Sequence, residues 1–145
     1  MVIDKVPSQE RTLRFVEPLP GFDGLAEFTL TAIDDRGLLL SLRSVQERGL
    51  RFVLTPADSF FPDYQPELAP VVSDALGAAS LADVELLLIL TISSGLVDAT
   101  ANMRAPIVVA PETGQAMQVV LDDEAQSMNR RLIPDRVPDE LTSDE

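Results

Sequence analysis

The sequence predicts a mainly β, antiparallel fold with one or two short helices. Three observations predict it. Short segments with period-two alternation recur at close spacing, as at Arg11 to Val16 and Glu27 to Ile33. Turn chemistry such as Asp34-Asp35-Arg36-Gly37 separates them. The runs Val84 to Ile92 and Ile107-Val108-Val109 are apolar without alternation, the pattern of strands covered on both faces.

Residues up to Gln9 are expected to be loose, and Arg11 to Val16 forms the first strand, with Leu13 and Phe15 on one face. Glu17-Pro18-Leu19-Pro20-Gly21-Phe22-Asp23-Gly24 then makes a structured turn in which Gly21 suits a positive φ after Pro20. Glu27 to Ile33 is a second strand, with Phe28, Leu30 and Ala32 against Glu27, Thr29 and Thr31. Gly37 occupies the left-handed position of the hairpin turn that follows. Leu38 to Val45 and Leu50 to Thr55 are the third and fourth strands, joined by a turn at Gln46 to Gly49 and stopped by Pro56. Four strands joined by short turns make an antiparallel meander that closes on itself or packs face to face.

Asp58-Ser59-Phe60-Phe61-Pro62-Asp63-Tyr64 breaks the strand rhythm and concentrates aromatic residues. A helix follows, with Pro70 in its first turn, a stripe of Val71, Val72, Ala75 and Leu76, and Gly77 as its left-handed stop. Ser80 can cap one further turn to Asp83. Val84 to Ile92 is the central strand, and Ser93-Ser94-Gly95 turns it toward Thr100 to Val109. That stretch reads as a core strand, a kink at Pro106 and a second core strand, with Ala101, Met103 and Ala105 opposite Asn102 and Arg104. A turn at Glu112 to Gly114 leads to an answering strand, Gln118 to Leu121. Residues 1–133 are expected to form one domain, and Pro134 to Glu145, with five acids against Arg136, a disordered acidic tail.

A chain of 145 residues can bury roughly two-thirds of its unfolded surface, enough for a core without disulfides or metals. Aromatics are only 5% of the residues, so that core is aliphatic. The net charge of −13 argues against nucleic-acid or anionic-membrane binding and favours a basic protein partner or simple solubility. The first residues lack the basic and apolar regions of a signal peptide, and Leu86 to Leu90 is too short to span a bilayer, so a cytoplasmic protein is expected.

The chain has no Cys and no His, which removes the thiolate nucleophile, the usual neutral-pH base and most transition-metal ligands. No catalytic residue, metal or cofactor is expected. Asp34-Asp35 and Asp122-Asp123-Glu124 read as solvated acids at turns and strand ends, and Asp58 with Asp63 lacks an EF-hand spacing. Lys5 is the only lysine, and Gly21-Phe22-Asp23-Gly24 has no phosphate-binding Lys-Ser/Thr after it. Phe60, Phe61 and Tyr64 read first as a small satellite core and second as a partner-binding surface, since aromatics supply most interface hot spots. Asn102 and Arg104 read as an Asn satisfying a bulge and an Arg paired to a nearby acid. The candidate partner-binding set is Leu19, Phe22, Phe60, Phe61, Asp63, Tyr64, Asn102 and Arg104.

Several stretches together carry a resemblance. They are Phe15-Val16-Glu17-Pro18-Leu19-Pro20-Gly21-Phe22 followed by Phe28, then Phe52-Val53-Leu54 with Pro56, and Phe60-Phe61-Pro62-Asp63-Tyr64. Thr100 to Val109 follows, then Gly114 with Gln118-Val119-Val120-Leu121. In this order, over about Leu13 to Leu121, the chain resembles the FliW family of flagellar assembly factors. Where the family often continues with a Tyr and an Arg-His pair, this chain reads Ala125-Gln126-Ser127-Met128-Asn129-Arg130-Arg131.

The resemblance implies a small antiparallel β-barrel-like domain, not an enzyme, that binds flagellin and the translational regulator CsrA; the chain alone is expected to be monomeric. By the family's logic, binding CsrA relieves repression of flagellin translation, and accumulating flagellin takes the factor away again. Two other readings remain open on the residues: a hydrolase using carboxylates alone, which needs two facing acids about 5 to 10 Å apart, and a barrel that holds a small ligand in its interior.

Overall fold

The structure is a computed structural model and describes residues 10–123 and 125–133; the expectations for residues 1–9 and 134–145 lie outside the described residues. The meander forms as the alternation predicts: β1 (Glu10–Phe15), β2 (Glu27–Ala32), β3 (Leu40–Ser44) and β4 (Arg51–Pro56) pair antiparallel in sequence order. β4 then pairs with β5 (Glu85–Thr91), which also pairs with β6 (Thr100–Ala101) and β7 (Ile107–Ala110). β7 makes a hairpin with β8 (Gln115–Gln118).

Closure comes from a pairing with no local sequence signal: β8 runs parallel to β1, with Arg14 opposite Gln115 and Phe15 opposite Ala116. The circuit β1-β2-β3-β4-β5-β7-β8 is therefore a seven-stranded mixed barrel, antiparallel except at this seam. Gly114 makes the seam sterically possible. Its φ of 77° suits glycine, its carbonyl accepts from the Arg14 amide at 2.8 Å, and an added Cβ would lie 3.1 Å from the Thr12 carbonyl oxygen.

Three apolar clusters follow from the strand periodicities. Inside the barrel, Leu13, Phe15, Phe28, Leu42, Leu54 and Ile107 are buried together, with Phe15 edge-on to Phe28 at 5.2 Å. Outside β7 and β8, Val108 and Ala110 pack against Val72 and Leu76 of α2 (Pro70–Leu76). Outside β5 and β6, Leu88, Leu90 and Ala101 pack under Phe61 and Ala57 of the segment that contains α1 (Ala57–Phe60). β5 and β7 are thus covered on both faces, which is why their sequences do not alternate.

Some expectations shift. The helical stripe is Val72, Ser73 and Leu76, whereas Val71 is 64% exposed and Ala75 also faces solvent. A helix of seven residues shows the barrel less than two turns, so a four-residue stripe is too wide for it. Pro70 in the first turn, Gly77 in the left-handed conformation and Ser80 capping the turn Leu81–Asp83 are as read. The strand expected over Thr100 to Ala105 stops at Ala101. Asn102 Oδ1 accepts from the amides of Arg104 and Ala105 at 3.0 and 3.2 Å and turns the backbone out of the ladder. The answering strand begins at Gln115 rather than Gln118, and Val119 and Leu121 continue it through single bonds to the carbonyls of Pro106 and Arg104. A ninth strand, β9 (Arg130–Arg131), pairs with β6 where no periodicity marks one. Among the described residues no helix is long and apolar enough to cross a membrane.

Candidate functional site

The predicted site residues separate onto the two sides of the barrel wall. Leu19 is only 3% exposed and belongs to the interior cluster, so it supports the Pro-Gly loop from within instead of projecting as an anchor. The loop is fastened by turns, the Phe22 amide donating to the Leu19 carbonyl and the Leu25 amide to the Phe22 carbonyl. Phe22 is half-buried and meets Phe52 edge-on at 5.6 Å.

The aromatic loop lies outside the wall. The turn of α1 holds it, with the Phe61 amide donating to the Ala57 carbonyl and the Tyr64 amide to the Phe61 carbonyl. Phe61 is 8% exposed and packs in the outer cluster, Phe60 is half-buried beside it, and Asp63 is exposed at the rim. The Tyr64 hydroxyl donates to the Met103 carbonyl at 2.5 Å, and burial pushes its pKa up to about 12. That bond joins the loop to the Asn102 turn, so Phe60, Phe61, Asp63, Tyr64 and Asn102 come together. Arg104 follows Met103, but its Nε is buried without a hydrogen-bond partner. The expected ion pair is not made among the described residues, where the ion pairs are Arg11–Glu85 and Arg14–Glu27.

Between the loop and the returning chain runs a groove of about 370 Å³, lined by Phe60, Phe61, Asp63, Tyr64, Met103 and Arg130 among others. The Arg130 guanidinium sits 5.1 Å over the Phe61 ring, an attraction of cation to aromatic quadrupole that holds β9 against the loop. Gln65 and Gln126 line this groove and also an adjoining one of about 450 Å³ that contains Glu67, Asp122 and Asp123. The two make one trough, aromatic at one end and acidic at the other. Sequence reasoning missed Met103, Gln126 and Arg130 as parts of this surface. No local pattern signals a cation that reaches an aromatic ring across so many intervening residues.

Two of the acids, Asp34 and Asp123, hold turns. Asp34 accepts from the Leu39 and Leu38 amides at 2.8 and 3.3 Å, bonds that hold its carboxyl below the usual range. Asp123 accepts from the Ala125 amide at 2.9 Å. Among the described residues no group of three or more acids could hold a metal ion.

A seven-stranded barrel whose interior is filled by its own aliphatic and phenylalanine side chains, and whose grooves lie on its outer surface, belongs to the class of small β-barrels with a packed core. Comparison with known proteins sharpens that class. A family model described as FliW protein matches residues 5–132. Flagellar assembly factor FliW of Shouchella clausii is 38% identical over 120 residues, 83% of this chain and 82% of its own. That of Geobacillus kaustophilus is 34% identical over 125 residues, 86% of each chain. A crystal structure of the flagellar assembly factor FliW superposes with a TM-score of 0.78 at 32% identity, covering 86% of this chain and 87% of that one. The chain belongs to the FliW family, which is not a family of enzymes.

Proposed function

We propose that the chain is a flagellar assembly factor that works by exchanging partners: it binds flagellin, binds the basic translational regulator CsrA, and by binding CsrA relieves repression of flagellin translation. Family membership supports the flagellar role. The observation that carries the partner reading is the trough, where the half-buried Phe60 and Tyr64 offer apolar area next to Glu67, Asp122 and Asp123 on a chain of charge −13. Such a surface fits a partner with an apolar anchor flanked by basic groups. Asp63 also lines the trough. The setting is cytoplasmic, and the chain is a monomer until a partner arrives.

In this reading the acids steer encounter and the aromatics hold the complex, because long-range attraction acts mainly on association and buried apolar contacts on dissociation. Stopped-flow binding to purified CsrA, and separately to flagellin, tests it. Raising salt should lower the association rate and leave dissociation nearly unchanged. Phe60→Ala should speed dissociation about tenfold for each ~1.4 kcal/mol of binding free energy that the ring supplies. Phe61→Ala is a poorer probe, since that ring also fills the outer cluster. Wild-type rates for Phe60→Ala with both partners would remove the trough from the interface, and failure to bind either partner would remove the reading itself.

A further inference from the structure

The outer face of the meander carries an arrangement that the partner reading leaves unused. Arg43 and Arg51 lie directly opposite each other across β3 and β4, both exposed, and Arg48 is exposed in the turn between them. Like charges directly opposite one another destabilise a sheet. Neither Arg43 nor Arg51 is in an ion pair among the described residues, although acids outnumber bases 24 to 11 in the chain. Around them is a shallow groove of about 470 Å³ with the hydroxyl-bearing residues Thr29, Thr31 and Ser41, and with Glu10 at its edge. The Arg51 Nε already donates to Ser41 Oγ at 3.0 Å, which holds that guanidinium over the sheet. Two adjacent guanidiniums with neighbouring hydroxyls form a site for carboxylates.

We propose that this face binds carboxylates and that its occupant is the chain's own acidic segment, residues 134–145. Charge complementarity supports the choice, since the segment has five acids and one Arg. Reach supports it too. The Leu132 amide bonds to the Ala99 carbonyl, and Arg131 pairs with Thr100, which pairs with Thr91 of β5. β5 pairs with β4, and β4 with β3, so the exit strand and Arg43 are four strand spacings apart, about 19 Å. Twelve residues span up to about 40 Å, and Asp139 and Glu140 fall where the distance is bridged. The tether supplies an effective concentration of about millimolar, and exposed ion pairs are weak, so occupancy is partial and sensitive to salt. Docked, the segment screens the basic face of an otherwise acidic protein from other anions.

The full chain has no cysteine, so Ser143→Cys provides a single attachment point for a nitroxide. Amide relaxation is read with the nitroxide oxidised and then reduced. Broadening at Ser41, Arg43 and Arg51 should exceed that at Val72 and Leu76 by at least about twofold at low salt, given partial occupancy. It should vanish at about 1 M salt, where the screening length is about 3 Å. It should also vanish in Arg43→Glu/Arg51→Glu, with Arg43→Gln/Arg51→Gln as the milder pair if the glutamates disturb the hairpin. Broadening that is uniform over all faces, or that survives these substitutions, overturns the proposal. So does broadening that appears when isotope-labelled protein without nitroxide is mixed with unlabelled nitroxide-bearing protein, because the occupant is then a second copy.

Discussion

Val108→Ala tests the outer packing of the barrel. Val108 is fully buried on β7, opposite Leu86 on one side and Met117 on the other, and its side chain packs beneath Val72 and Leu76 of α2. Removing two buried methyl groups costs about 1.6 kcal/mol in transfer free energy. Two strands and a helix surround the site, so it cannot close completely. A residual void of roughly 25 Å³ adds about 0.6 kcal/mol. The expected loss is therefore about 2 kcal/mol, or a fall in Tm of about 7 °C for a chain of this length. Urea unfolding followed by far-UV circular dichroism should show a lower midpoint at unchanged slope. Val71→Ala, at an exposed position on the same helix, should change stability by less than about 0.5 kcal/mol. A loss below about 0.5 kcal/mol for Val108→Ala would refute the placement of this side chain under α2.

Three further outcomes are expected. Tyr64→Phe removes the donor to the Met103 carbonyl and should cost about 1 to 2 kcal/mol in urea unfolding. Because the folded pKa of Tyr64 is raised from 10.0 to about 12, its share of stability is intact below pH 10 and is lost as pH rises toward 12; Tyr64→Phe should flatten that part of the stability-pH curve. Asn102→Ala leaves the Arg104 and Ala105 amides without their acceptor and should cost about 1 to 2 kcal/mol, and an unchanged unfolding midpoint would count against the turn as the device that ends β6. Deleting residues 134–145 should change unfolding stability by less than about 0.5 kcal/mol, and a loss of several kcal/mol would show that the segment is part of the core.

What the sequence discloses and what it hides divides by the range of the interaction. The meander, the Gly37 and Gly77 conformations, the Ser80 cap and the doubly covered β5 and β7 are written in local chemistry and periodicity, so they are legible. The parallel seam between β1 and β8 is not, because nothing in either strand states which edge it will meet. β9 is two arginines with no pattern, made a strand by the free edge of β6 and the Phe61 ring beneath Arg130. At the site the aromatic loop is legible as a feature, but the division among its rings is not: Phe61 goes to the satellite core and Phe60 stays half-buried, and the two letters are the same. Leu19 is misread as an anchor because a leucine in a Pro-Gly turn has the same letters whether it points out or plugs a barrel.

The parallel seam also sets the order of events during synthesis. Arg14 and Gln115 are separated by roughly a hundred residues, and a contact that distant carries a large loop-closure cost and slows folding. At about 5 to 20 residues per second, the ribosome delivers β8 roughly 5 to 20 seconds after β1. For that interval β1 has β2 on one side and an open edge on the other. The barrel can shut only after β8 has been synthesised, so a chain that stops before Gln115 has no native partner for that edge.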